Sequence, residues 1–172
     1  MGVLALSDDI VRWSIAPELE GAMELGKELR SRGIIASVAH TDAICEEVTE
    51  AFDNGYSLMT HLYSAMSSVT RRNAYRYAGA LEAAYLLDDM DGEIIADGVH
   101  LPKSLLRFVY KFKNHDRIAL VPDAMRGAGM PDGNYMLGSL AKGQEVLVED
   151  GVATMPDRTA LAGRVATAGR LC

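Results

Sequence analysis

The chain has 172 residues, of which 49% are hydrophobic, and 17 basic and 24 acidic side chains give it a formal net charge of −7. This length and hydrophobicity predict a globular protein with one sizeable core. The charges form no basic stripe, which argues against a nucleic-acid partner. No apolar run approaches the roughly 20 residues of a membrane span and the first residues lack a signal-peptide pattern, so we expect a cytoplasmic protein without a membrane partner.

Helix and strand patterns alternate along most of the chain. Apolar residues with helical spacing predict helices, the second of them capped by Asp42, over 17–32, 42–53, 80–88 and 102–113. Short apolar runs predict buried strands over 33–39, 57–62, 92–97 and 117–122. Residues 64–80 are polar and predict a long loop, whereas short β-type runs with Gly and Asp turns follow from residue 132. The architecture predicted is a parallel α/β core followed by a small β segment.

Four of the predicted strands end in a side chain suited to catalysis. GIIASVAH ends at His40, GYSLMTH at His61, GEIIADGVH at His100 and RIALVPD at Asp123. The carboxyl ends of parallel strands are where α/β barrels and open α/β sheets assemble their active sites. Neutral imidazoles bind divalent metals, and a nearby carboxylate can shuttle protons, so this set predicts a hydrolytic metal site.

Each of these residues also has a simpler interpretation. A single histidine is often a core or surface residue with a local hydrogen bond, although the repeated position at strand ends favours the metal site. His115, between charged neighbours, is expected to be solvated, and Asp123 could cap a following turn. The arginines at 71, 72 and 76 are either a solvated face or an anion clamp, and composition does not decide between them. Cys45 and Cys172 are isolated, which argues against a disulfide framework or a cysteine zinc site.

Six motifs in order resemble one enzyme family. APELEGA, VAHTDA, THLYSAM, IIADGVH, LVPDA and LAG, with the arginine loop after the third, are similar to the N-acetylglucosamine-6-phosphate deacetylases of the amidohydrolase superfamily. The resemblance implies a partial TIM-like (β/α) barrel of the metal-dependent amidohydrolase type. Residues 1–131 would form the C-terminal part of the (β/α)8 barrel, and residues 132–172 would belong to the small β-sandwich and the closing region.

The resemblance also implies a reaction and its residues. The enzyme would hydrolyse N-acetylglucosamine 6-phosphate to glucosamine 6-phosphate and acetate with a divalent metal, zinc or iron in the first place and cobalt or manganese as alternatives. His40 and His61 match the metal ligands, and Asp123 matches the catalytic acid/base. The residues matching the sugar-phosphate and acetamide contacts are Ser64, Ala65, Arg72, Asp97, Gly98, Val99, His100, Leu161, Ala162 and Gly163.

The resemblance begins at the fourth barrel strand. The acidic metal ligand of the family belongs to an upstream Leu-Glu-Gly-Pro type motif, so we expect this chain alone to bind metal weakly and to be nearly inactive. Open strand edges and the family's tendency to dimerise, with Arg72 near a neighbouring phosphate site, predict self-association as a homodimer. Two alternatives remain, namely another amidohydrolase, such as a deaminase or cyclic amidase, and a non-catalytic truncated barrel module.

Overall fold

The computed structural model describes residue 4 and residues 7–139, 142–159 and 161–165. The chain divides into two compact units, one running to Ile94 and including Arg107–Ala119, the other comprising Ile95–Leu106 and the chain from Leu120. Among the described residues, no helix is long and apolar enough to cross a membrane.

The first unit is built on parallel strands with helices between them. Among the described residues, one sheet has five strands in the order β1-β2-β3-β6-β7. The pairs β1–β2, β2–β3 and β3–β6 are parallel, so the predicted α/β class with a parallel sheet is confirmed. The strands of this sheet are β1 (Arg12–Ile15), β2 (Ile35–Val38), β3 (Tyr56–Met59), β6 (Asp91–Ile94) and β7 (Ile118–Leu120).

The helices follow the predicted periodicity, with shorter bounds. They are α1 (Ala22–Ser31), α2 (Cys45–Asp53), α3 (Ala80–Leu86) and α4 (Lys103–Phe112), whose first residues belong to the second unit, and a short 3₁₀ helix follows at His115–Arg117. Helix α1 is followed by Gly33 and α2 by Gly55, both with positive φ, as expected for helix stops. The buried core of this unit includes Leu29, Val38, Val48, Tyr56 and Met59.

Two local predictions were wrong. Helix α2 begins at Cys45 rather than near Asp42, because Glu47 accepts a hydrogen bond from the main-chain N of Ile44 and caps the helix there. The segment 64–80 is not only loop, since β4 (Thr70–Arg72) and β5 (Tyr75–Tyr77) form an antiparallel hairpin. Both turn residues of this hairpin, Asn73 and Ala74, have positive φ, as a two-residue type I′ turn requires.

The second unit contains a four-stranded antiparallel sheet among its described residues. Its order is β11-β10-β9-β8, from β8 (Gly133–Leu137), β9 (Gln144–Glu149), β10 (Val152–Thr154) and β11 (Leu161–Arg164). The β9–β10 turn is Asp150-Gly151, with both φ positive, which is the hairpin signal visible in the sequence. The apolar cluster beneath the sheet includes Met125, Val146, Val148, Ala153 and Ala162.

Candidate active site

Two histidines at the ends of neighbouring strands meet in the first unit. His40 follows β2 and His61 follows β3, and the two strands are paired in parallel. The Nε2 atoms lie 3.0 Å apart, and the rings stack with centroids 4.9 Å apart and planes inclined by 15°. His61 is buried whereas His40 is exposed. The pair therefore brings two imidazole nitrogens together, one on a buried ring and one on an exposed ring.

This separation of nitrogens suits a bound divalent cation. Two imidazoles each about 2.0–2.1 Å from one ion place their nitrogens about 2.9–3.4 Å apart in octahedral or tetrahedral geometry. The 3.0 Å observed lies within that range. Without an ion, one Nε2–H donates to the other nitrogen, so the same arrangement is satisfied in both states.

The loop that carries His61 has a strained main chain. His61, Tyr63 and Ala65 have φ values of 29°, 76° and 46°, a region that residues other than glycine seldom adopt. Main-chain hydrogen bonds hold the loop, since Thr41 N donates to Ala65 O at 3.0 Å and Ser64 N donates to His61 O at 3.1 Å. Strain of this kind persists where the surrounding structure enforces it, and it is concentrated at functional sites.

Thr41 joins the loops that follow β1, β2 and β3. Its Oγ1 donates to the Glu18 carboxylate at 2.5 Å and accepts from the main-chain N of Ala43 at 2.9 Å. Glu18 also accepts from Asp42 N at 2.9 Å. A cavity of about 220 Å³ lies beside this arrangement, lined by Glu18, His40, Thr41, Asp42 and Ala65.

A third protein ligand for a cation does not accompany the two histidines within the described residues. No group of three or more His, Cys, Asp or Glu side chains able to hold a metal ion occurs there. Glu18 is committed to Thr41 and Asp42. Burial raises the pKa of the Cys45 thiol, which keeps it protonated and poorly suited to metal binding.

Tyr63 fixes the outer side of the strained loop. Its hydroxyl lies 2.9 Å from the hydroxyl of Tyr85 on α3. Burial, followed by this hydrogen bond, raises the pKa of Tyr85 well above its usual value. The Tyr85 hydroxyl therefore remains protonated at neutral pH, and its contact with Tyr63 ties the loop to helix α3.

The arginine segment forms the exposed β4–β5 hairpin. Arg72 donates to the main-chain oxygen of Asp42 at 3.5 Å, and its guanidinium lies 5.8 Å from the centre of the Tyr77 ring. Arg71 and Arg76 are directly opposite each other across the hairpin. Like charges in this position are destabilising without a counterion, so the hairpin suits an anionic partner.

Asp97 and His100 form a compact pair within the second unit. The Oδ1 atom of Asp97 accepts from the main-chain N of Val99 at 3.0 Å and of His100 at 2.8 Å. His100 Nδ1 donates to Asp97 Oδ2 at 2.9 Å, and the side chains are only 9% and 3% exposed. Because the carboxylate can only accept, it holds a proton on Nδ1 of His100.

The remaining predicted site residues also belong to the second unit. Asp123 is exposed and has a φ of 47°, a left-handed conformation that aspartate tolerates better than most other residues. Leu161, Ala162 and Gly163 lie on β11. Ala162 is buried in the apolar cluster of this unit, whereas Leu161 is 42% exposed.

Sequence reasoning missed a polar network in the first unit. The Arg12 guanidinium binds both carboxylate oxygens of Glu93, with Nη2 to Oε2 at 2.8 Å, and also donates from Nη2 to Thr60 Oγ1 at 2.8 Å. Thr60 Oγ1 lies 2.6 Å from Ser37 Oγ and 3.4 Å from Ser14 Oγ. The signal in the sequence was that Arg12 and Glu93 each lie inside an apolar run typical of a strand. A charge buried in a strand needs a partner, so the two could have been paired.

Several enzymes are similar to this chain in sequence and in fold, although no family model matches it. An N-acetylglucosamine-6-phosphate deacetylase of Lysinibacillus sphaericus is 36% identical over 154 residues, which are 90% of this chain and 38% of that protein. An N-acetylgalactosamine-6-phosphate deacetylase of Escherichia coli O157:H7 is 32% identical and covers 94% of this chain and 40% of its own length.

A solved structure gives the same result. A mutant N-acetyl-D-glucosamine-6-phosphate deacetylase of Mycobacterium smegmatis, in complex with N-acetyl-D-glucosamine-6-phosphate, superposes with a TM-score of 0.86 at 31% identity. The match covers 95% of this chain and 41% of that one. The chain thus spans about two fifths of the length of its relatives. By sequence and by fold, it belongs to the N-acetylglucosamine-6-phosphate deacetylase family.

Proposed function

We propose that the chain carries part of the active site of an enzyme that hydrolyses N-acetylglucosamine 6-phosphate to glucosamine 6-phosphate and acetate. The approach of His40 Nε2 to His61 Nε2, 3.0 Å apart at the ends of parallel strands, is the observation that carries the proposal. The motifs of the chain and its similarity to N-acetylglucosamine-6-phosphate deacetylases support the same reaction.

In this proposal, His40 and His61 hold a divalent cation, zinc or iron in the first place. A bound cation of this kind supplies Lewis acidity that activates water and polarises an amide carbonyl. Asp123 accepts the proton of the attacking water and passes it to the departing amine. The role of Asp123 rests on its LVPDA motif, and its exposed carboxylate supports that role.

The substrate contacts in this proposal follow from the types of groups available. Arg72 binds the phosphate, because a guanidinium fits its oxygens in a bidentate manner and, among the described residues, no acidic side chain forms an ion pair with it. Ser64 and Ala65 bind the phosphosugar from the strained loop. Asp97 and His100 contribute as a hydrogen-bonded pair, and the remaining proposed contacts are Gly98, Val99 and Leu161–Gly163.

Metal titration of the purified chain tests the central assignment. We expect Co²⁺ or Zn²⁺ to bind, weakly, and binding to be lost when His40→Gln or His61→Gln removes one imidazole. His115→Gln is the matched control, because that histidine is exposed and lies in the 3₁₀ helix after α4, with its ring stacked on Tyr110. A His61→Gln variant with the affinity of the wild type would contradict the assignment.

The substrate is tested on the whole protein. Released acetate is measured with N-acetylglucosamine 6-phosphate, N-acetylgalactosamine 6-phosphate and unphosphorylated N-acetylglucosamine as separate substrates. We expect the first to be turned over most efficiently and Arg72→Ala to raise KM for the phosphorylated sugars far more than for the unphosphorylated one. Equal effects on all three sugars would exclude Arg72 as the phosphate ligand.

The partial TIM-like barrel is proposed from the curvature of the sheet. Two strands separate β1 from β6, which places them about 14 Å apart in a flat sheet with strands about 4.8 Å apart. The Arg12 guanidinium nevertheless contacts both Glu93 oxygens, as expected on the concave face of a curled sheet. Residues 1–131 as barrel and 132–172 as β-sandwich and closing region remain the proposed domains, the latter extending beyond the described residues. A crystal structure of the whole protein tests both assignments.

A homodimer in the cytoplasm completes the proposal. Among the described residues, β1 pairs only with β2, so its other edge can accept a strand or a second copy. The exposed arginines of the β4–β5 hairpin also complement the net charge of −7 of a second copy. Sedimentation should reveal a dimer at micromolar concentration, and a stable monomer would contradict this part of the proposal.

A further inference from the structure

We infer that Glu93 and Arg12 are positioning residues that hold the His61 ring against the His40 ring, an inference that rests on the proposed role of His61 as a metal ligand. Neither Glu93 nor Arg12 is among the residues that we assigned to the site. Their effect on His61 would pass through Thr60 and Leu62, the residues on either side of it.

Glu93 is connected to both neighbours of His61. Through its side chain it holds Arg12, whose Nη2 donates to Thr60 Oγ1 at 2.8 Å. Through its main-chain oxygen it accepts from Leu62 N at 2.7 Å. The residues before and after the imidazole are thus both linked to one residue of β6. Because the φ of His61 is 29°, the chain at this point needs such external contacts to keep its conformation.

The Glu93 side chain controls the position of Thr60 through Arg12. Glu93 has a side chain only 8% exposed, and Arg12 reaches it across the face of the sheet. The rigid fork of the guanidinium donates to the carboxylate and to Thr60 together, so the position of Thr60 Oγ1 follows that of Glu93. Ser37 Oγ, 2.6 Å from Thr60 Oγ1, donates to Leu58 O at 3.2 Å and holds the same hydroxyl from β2.

A paired substitution separates positioning from stability. Replacing a buried ion pair by apolar residues of similar size often leaves stability unchanged, whereas removing one partner leaves an uncompensated charge. The test variant therefore combines Arg12→Met with Glu93→Met. The matched control is Arg117→Met, because Arg117 also pairs with a carboxylate of β6, at the first residue of that strand, Asp91.

The first measurement needs no metal. In the wild-type chain, we expect a nuclear Overhauser effect between the ring protons of His40 and His61, since the ring centroids are 4.9 Å apart. This signal should be lost in the paired variant and kept in the Arg117→Met control, with the amide spectrum of each protein showing a retained fold. The same signal in a folded paired variant would overturn the inference, as would its absence from the wild type.

A second variant tests the inference if the paired variant does not fold. Thr60→Val removes the hydroxyl that Arg12 and Ser37 both contact and changes no charge. It should also lose the His40–His61 signal while the amide spectrum is retained. If the signal survives in folded Thr60→Val, the proposed connection to His61 is wrong.

Metal titration then separates this inference from the proposed function. If His61 is a ligand, the paired variant should bind Co²⁺ about 10–100-fold more weakly than the wild type, the range typical for loss of a ligand's supporting partner. Arg117→Met should bind as the wild type does. Failure of the wild-type chain to bind any divalent ion would overturn the proposed function. The nuclear Overhauser effect between the His40 and His61 rings would still decide whether Glu93 and Arg12 position His61.

Discussion

Substitution Thr41→Val removes the hydroxyl that joins the loops around the candidate site while keeping the shape of the side chain. Thr41 is 4% exposed, and its Oγ1 donates to Glu18 and accepts from Ala43 N. A hydrogen bond to a charged group contributes about 1.5–3 kcal/mol, and we take the lower end because Glu18 is exposed. The main-chain N of Ala43, which is fully buried, would also lose its acceptor at a cost of about 1–3 kcal/mol.

The expected loss in free energy of unfolding is therefore about 3 kcal/mol. With a urea dependence of about 2 kcal/mol per molar, the midpoint followed by circular dichroism should fall by about 1.5 M. Thr49→Val is the matched control, because the hydrogen bonds of Thr49 Oγ1 stay within helix α2, to the main-chain oxygen and the thiol of Cys45, and a change within about 0.5 kcal/mol is expected. If both variants unfold at the same midpoint, the hydroxyl of Thr41 does not hold the loops together.

Three further predictions concern packing, pH and the second unit. Gly26→Ala should lower the free energy of unfolding by about 1–3 kcal/mol, and with it Tm, because the added Cβ would lie 2.5 Å from the buried Tyr56 ring. This clash outweighs the higher helix propensity of alanine, and a raised Tm would contradict the prediction. Burial raises the pKa of Tyr56 to about 12, so between about pH 10 and 12 its hydroxyl ionises in the unfolded chain but not in the folded one. The free energy of unfolding should therefore fall as the pH rises through this range. Tyr56→Phe should remove up to about 1.4 kcal/mol per pH unit of that slope in denaturation curves, and an unchanged slope would refute the assignment. Asp97→Asn should shift the His100 proton from Nδ1 to Nε2, as measured by ¹⁵N NMR, and an unchanged tautomer would show that Asp97 does not set it.

The amino-acid sequence determined the local elements and the residues at their ends. Apolar spacing located the helices because a surface helix must bury one face, and β2 and β3 appeared as short apolar runs followed by His40 and His61. The turn Asp150-Gly151 was readable because those residues tolerate positive φ. The Asn73-Ala74 turn was not, since alanine is unusual in that conformation and gives no local signal.

Only the tertiary structure decided which of these side chains contact one another. The strand ends are encoded locally, but the 3.0 Å approach of His40 to His61 depends on the parallel pairing of β2 with β3 and on the strained loop after β3. The contact between Arg12 and Glu93, 81 positions apart, depends on the assembly of β1, β2, β3 and β6 into one sheet. Periodicity reports which face of an element is buried, whereas register, curvature and loop strain come from packing between elements distant in sequence. The chemical groups of the site were therefore readable from the sequence, and their geometry was set by the fold.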